Sequence, residues 1–145
     1  MTSGRRRKDE RGQITAMLII FAVCLLLAIS AVTNIAGSYL RRQAATSLAD
    51  GAALSASDAA AAGGVYGPPG AYVVIDQAAA ASAVEAYLRQ TGAHGTYPGL
   101  RAEIVVDDNT VVVYLSMPYA LPVTLPGVQN TTTIHASGSA VMPIY

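Results

Sequence analysis

Few side chains in this sequence can do chemistry, and their spacing brings no set of them together. His94 and His135 are the two histidines. They could share a metal ion, but no cysteine or acidic residue at ligand spacing completes a site beside either. Asp107-Asp108-Asn109 opens like a calcium loop, yet it lacks the glycine and the distal glutamate that EF-hand geometry requires, so it reads as a hairpin turn. Ser137-Gly138-Ser139 has no preceding glycine and no following helix, both of which a nucleophile elbow needs. Cys24 is the only cysteine, so an intramolecular disulfide and a cysteine-based metal site are both excluded. Asn130-Thr131-Thr132 fits the glycosylation acceptor pattern, a common chance match. Glycine loops of the kind that cradle phosphate are absent. The residues therefore predict no catalytic, cofactor-binding or metal site, and no enzyme.

The elements that surround these residues say more. Arg5-Arg6-Arg7-Lys8 and Arg11 lead into an uncharged apolar run from Ile14 to Ala36, in which Asn34 is the only amide side chain. At about 1.5 Å per residue the run reaches about 35 Å, enough to cross a hydrocarbon core of about 30 Å. A domain this small could hardly enclose so apolar a helix on every side. Five basic and two acidic residues precede the run, which predicts a cytoplasmic N-terminus and an extracytoplasmic remainder. A cleaved signal peptide fits less well, because its apolar region is only roughly 7–15 residues long and ends at a small-x-small site. Asn34-Ile35-Ala36 places Asn where a small residue is needed.

Net charge is zero but unevenly distributed: the part beyond the apolar run carries four basic and seven acidic residues. An acidic outer part argues against nucleic acid as a partner, which calls for a basic stripe. About 80 residues outside the membrane segment suffice for one modest core.

From Ser38 to Ala62 the composition predicts a continuing helix, rich in Ala, Leu, Arg and Gln and free of proline. Leu40, Ala44, Leu48, Ala52 and Ala56 recur every fourth residue as a narrow apolar stripe, with Gly37 and Gly51 as points where the helix could bend. The stretch Gly63–Gly70 reads as a loop, and Val73–Ile75 as a short extended lead-in. Asp76 is placed to N-cap a second helix running to Gln90, with Ala80, Val84, Tyr87 and Leu88 on one face and Gly92 and Gly95 ending it. Strands follow at Ala102–Val106, Thr110–Ser116 and Thr131–Val141, the last two with alternating faces. Pro118, Pro122 and Pro126 predict an extended loop between the last two.

With these parts in order, the sequence resembles the TadE/TadG-like proteins of Flp (tight-adherence) pilus assembly. The resemblance rests on Arg11-Gly12-Gln13-Ile14-Thr15, the apolar run after it, and the helix Arg41-Arg42-Gln43-Ala44-Ala45-Thr46-Ser47-Leu48-Ala49-Asp50-Gly51-Ala52-Ala53-Leu54-Ser55-Ala56. Tyr119–Gly127 and the Thr-rich strand beyond it are similar to outer domains of the group. The resemblance implies a single-span envelope protein that acts through contacts with other pilus or secretion components. It also implies a candidate peptidase site between Gly12 and Gln13, because TadE-type precursors are cut after a glycine. Those precursors carry Glu at the fifth mature position, where this chain has Met17, so the missing carboxylate favours an uncut, TadG-like anchor.

The expected fold class is therefore α+β: a transmembrane helix continuing into a long Ala-rich helix, a second helix and a small antiparallel sheet. The expected division is a cytoplasmic tail over 1–13, a span over 14–36, a helical stalk over 37–62 and an α/β head over 63–145. Leu40, Ala44, Leu48 and Ala52 are the candidate packing seam, either with other subunits or with the protein's own sheet. The expected partners are the membrane and other pilus components, with no cofactor, nucleic acid or small-molecule substrate. A membrane-anchored sensor or accessory binding domain is the alternative, and a membrane-bound hydrolase a distant third.

Overall fold

Unbroken helix formers over the first third of the chain become one α-helix, α1, spanning Arg6–Gly64, 59 residues in length. The computed structural model describes residues 6–64, 76–107, 109–124, 126–127 and 129–142. Gly63 and Gly64, expected to open a loop running to Gly70, are instead the last residues of α1; the rest of that loop, the lead-in Val73–Ile75 and Asp108 of the turn lie outside these residues. At about 1.5 Å per residue α1 extends roughly 90 Å. Hydroxyls along its length are satisfied locally: Ser30, Thr33 and Thr46 each donate to the carbonyl four residues earlier.

Asp76 caps α2 (Gln77–Gln90), its carboxylate accepting from the Ala78 N–H at 2.9 Å. Ala80, Val84 and Leu88 are buried and Tyr87 is half-buried, so the inward face is the expected one. Gly92 terminates this helix with φ 67°, a left-handed conformation that glycine adopts without steric cost. Gly95, expected to help end α2, instead sits within a further single turn, α3 (Ala93–Thr96). The Gly92 carbonyl accepts from the N–H groups of both Gly95 and Thr96 at 3.1 Å, enough to close that turn around a glycine.

Three antiparallel strands form one sheet in the order β1 (Arg101–Asp107), β2 (Thr110–Ala120), β3 (Thr131–Val141). The β1–β2 hairpin pairs Arg101 with Ser116 at its open end and Asp107 with Thr110 at its turn. The β2–β3 register runs from Thr110 opposite Val141 to Ala120 opposite Thr131. β2 is four residues longer than the expected strand and contains Pro118, which was expected to forbid pairing. Beyond Ser116 there is no β1 partner, so Pro118 lies where β2 has a neighbour on one side only, and it faces Thr133 of β3. A proline is tolerated in such an edge segment. The irregular connection starts at Leu121 instead.

Val111, Val113, Leu115 and Met117 of β2 point inward and are buried, as are Ile134 of β3 and Leu88 and Val84 of α2. The other wall of this core is α1, through Ala45, Ala49, Ala52, Ala53, Ala56 and Ala60. These alanines are spaced by four, three, one, three and four residues, one continuous helical stripe. Their small side chains let the sheet come close. At Gly138 of β3 the backbones meet: a Cβ there would overlap the carbonyl of Ala49 and the amide of Asp50. The upper part of α1 is thus one wall of the head's core.

Candidate functional site

Two stretches of α1 present surface that the other described residues leave uncovered. The lower stretch is the apolar run. Every described residue from Gly12 to Ile29 is exposed, including Phe21 at 64% and Met17 at 74%. Among the described residues, α1 is the one helix long and apolar enough to cross a membrane, and none of its apolar window is buried against the protein. A soluble core helix of that composition would be buried. The exposure therefore separates α1 from that reading and leaves a surface that demands an apolar environment.

The upper stretch begins where the head first touches α1. Half-buried positions appear at Ser30, Asn34, Gly37, Ser38 and Arg41, and the fully buried stripe starts at Ala45. The side chain of Asn34 makes a two-way pair with the backbone of Val123: its Nδ2 donates to the carbonyl and its Oδ1 accepts from the N–H, both at 3.0 Å. Gly37 lies under the Tyr119 hydroxyl and Pro122. The Arg41 guanidinium stands 5.0 Å from the ring centroid of Tyr97 and 5.5 Å from that of Tyr119, within cation–π range of both. Three levels of the helix are thus tied to the base of the head.

The four residues of the candidate seam fall in different environments. Leu40 is 64% exposed, Ala44 is exposed, Leu48 is half-buried and Ala52 is fully buried in the protein's own core. Helical geometry explains the spread. Residues four apart on a helix of 3.6 residues per turn drift by about 40° per step, so a stripe followed from Leu40 to Ala52 rotates by about 120°. Its lower end faces outward and its upper end faces the core. Leu48 and Ala44 line one side of a shallow open groove of about 270 Å³ whose far side is Tyr87, Thr91, Thr96 and Tyr97. That volume is below the roughly 300–1,000 Å³ of small-molecule pockets, and the form suits a protein side chain better than a ligand. Gly51, one turn above Leu48, carries the Tyr87 hydroxyl against its backbone. Gly51 and Gly37, points where the helix could bend, lie within a continuous helix and admit tyrosines.

Gly12 and Gln13, the candidate cleavage site, lie inside α1 and are exposed, with nothing within 4 Å of a Cβ placed at Gly12. His94 is on α3, with Nε2 at 3.4 Å from Oε1 of Glu85, both side chains about half exposed. His135 is on the outer face of β3 opposite Ser116. Among the described residues no group of three His, Cys, Asp or Glu side chains converges. The long-range partners that the sequence did not disclose are Asn34 with Val123 and Arg41 with its two tyrosines. The one signal for Asn34 was its isolation as the sole amide in an apolar run.

The arrangement defines a class: a small α+β head built directly on a helix whose free lower half is membrane-capable. Within that class the sequence comparison is specific. Residues 12–65 match the family model for putative Flp pilus-assembly TadE/G-like proteins, so this stretch of the chain is similar to that family. The match takes in α1 from Gly12 upward and none of α2, α3 or the sheet. No curated protein and no solved structure matches the chain.

Proposed function

We propose that this protein is a membrane-anchored, non-enzymatic component of a Flp/Tad-type pilus-assembly or secretion apparatus, working through protein contacts along α1 and on its head. The observation that carries the proposal is the coincidence of the TadE/G-like match with α1, the element that holds both uncovered surfaces. The N-terminus lies in the cytoplasm and the head outside, on the basic excess before Ile14. The division of labour is then physical: bilayer burial of the lower half of α1 fixes location, and the outward flank at Leu40 and Ala44 with the groove above it receives other pilus components. Leu48 contributes to both sides of that boundary, while Ala52 serves the protein's own core.

An uncut anchor agrees with two features. Met17 stands where processed precursors carry Glu, and the Gly12–Gln13 bond lies within regular helix, which must locally open before a peptidase can act. The test is genetic. Deleting the gene in its own host removes or sharply reduces surface pili, and the full chain supplied in trans restores them. A Leu40→Glu, Ala44→Glu chain that reaches the membrane at normal level fails to restore them. Normal piliation in the deletion strain would refute the proposal.

A further inference from the structure

The base of the head ends in a segment whose composition is unusual for a water-facing connection. From Pro118 to Asn130 the chain carries no charged residue. Leu121 and Val123 are half-buried, Pro122 and Pro126 are exposed, and the segment connects β2 to β3 at the end of the sheet opposite the β1–β2 turn. Surface connections are ordinarily polar because water must solvate them. Here the segment is held at one height on α1 by the Asn34–Val123 pair and by the contact of Pro122 and Tyr119 with Gly37.

That height is informative. From Ile14 to Thr33 the helix rises about 30 Å, the thickness of a hydrocarbon core. The first hydrogen-bonded tie to the head comes at the next residue, Asn34, one turn above the half-buried Ser30. We infer that the β2–β3 connection is an interfacial foot, with Leu121, Pro122, Val123 and Pro126 resting in the outer headgroup layer of the bilayer that α1 crosses. The inference rests on the membrane-anchor reading above and goes beyond it by assigning a lipid contact to the head. The boundary of the span then falls at Thr33 and not at Ala36. Above it, exposed Tyr39 lies at the level where aromatic side chains partition to the interface, and exposed Arg42 can extend toward lipid phosphates.

The chemistry of Asn34 fits that boundary. An amide side chain inside hydrocarbon would lack partners, and a backbone N–H and C=O brought to the edge of hydrocarbon would lack them too. Each satisfies the other here. Asn34 is a positioning residue: it holds the foot at the lipid edge, while the apolar side chains make the contact. The bilayer is the favoured occupant because the foot is continuous with the exposed apolar surface of α1, which the bilayer already covers.

Site-directed spin labelling of the full chain in lipid nanodiscs tests this, in a Cys24→Ser background with single cysteines at Phe21, Thr124 or Asp107. Collision with oxygen, which concentrates in lipid, is compared with collision with a water-soluble nickel chelate. The expected order of the oxygen-to-nickel ratio is Phe21 highest, Thr124 intermediate and several-fold above Asp107, and Asp107 lowest. Adding Asn34→Ala moves Thr124 toward the Asp107 value while Phe21 stays unchanged; an unmoved Thr124 removes Asn34 as the tether. A deep Phe21 with Thr124 as aqueous as Asp107 keeps the anchor and overturns the foot. Thr124 shielded from both reagents means a protein contact and also overturns it. An aqueous Phe21 defeats the anchor reading itself, and the foot with it.

Discussion

Replacing Gly138 with alanine probes the close approach of the β3 backbone to the backbone of α1. A Cβ at this position meets three backbone atoms of Ala49 and Asp50, none of which can turn aside as a side-chain tip would. To accept it, β3 must retreat from α1, loosening the core that Ala45, Ala49, Ala52, Ala53 and Ala56 share with the sheet. A gap of about 0.5–1 Å already forfeits a quarter to a half of the dispersion energy of each atom pair across it. Overpacking a filled core costs about 1–3 kcal/mol, and contact with backbone on both sides places Gly138→Ala toward the upper end. For a domain of this size 1 kcal/mol shifts Tm by about 4–8 °C, so a drop on the order of 10–20 °C is expected. The assay is near-ultraviolet circular dichroism of the tyrosines on heating, with the chain in detergent or nanodiscs; the protein has eight tyrosines and no tryptophan to obscure them. Ser137→Ala, one residue away on the exposed outer face, is the matched control and should stay within about 0.5 kcal/mol of wild type. A Gly138→Ala melt indistinguishable from that control would refute the packing of β3 against α1.

Two further outcomes follow from the same geometry. Gly51→Ala should destabilise the protein because its methyl would overlap the Tyr87 hydroxyl, and Tyr87→Phe should recover part of the loss. A double-mutant cycle on thermal melts is expected to give a coupling of about 0.5–3 kcal/mol; strict additivity would show that the two residues do not meet. Intact mass of the membrane-extracted protein should include residues 1–12, and a chain beginning at Gln13 would show that Gly12 is cut despite Met17.

Much of this architecture can be read from local pattern, and the reason differs by element. Asp76 as a cap, the inward face of α2 and the alternation in β2 and β3 are set by residues within a turn or two of one another, so sequence spacing reveals them. Pro118 misled because a proline's tolerance in a strand depends on where the neighbouring strand stops, a fact held by Arg101 far away in sequence. Gly95 misled for a related reason: the Gly92 carbonyl takes two backbone bonds and a third from the Thr96 hydroxyl, and holds the turn that composition argues against. The stripe from Leu40 to Ala52 showed that the helix has a small apolar surface, but a strict i+4 reading could not say where rotation carries that surface from the outside to the core. Asn34 finds its partner 89 residues away, and no local rule connects the two. Gly138, one of thirteen glycines, acquires its meaning only from the helix that passes over it.

In the function proposed above, the lower half of α1 holds the protein in the membrane, and the outward flank of the helix at Leu40 and Ala44 meets other pilus components. Photocrosslinking in living cells tests that statement most directly, with a benzophenone side chain at Leu40 and a control at Glu103 on the exposed outer face of the sheet. The account expects Leu40 to give a discrete membrane-fraction adduct whose second polypeptide, identified by mass, is a Flp/Tad pilus-assembly component, with little or none from Glu103. Adducts from Leu40 only to lipid or to this chain's own head, in cells actively assembling pili, would contradict it.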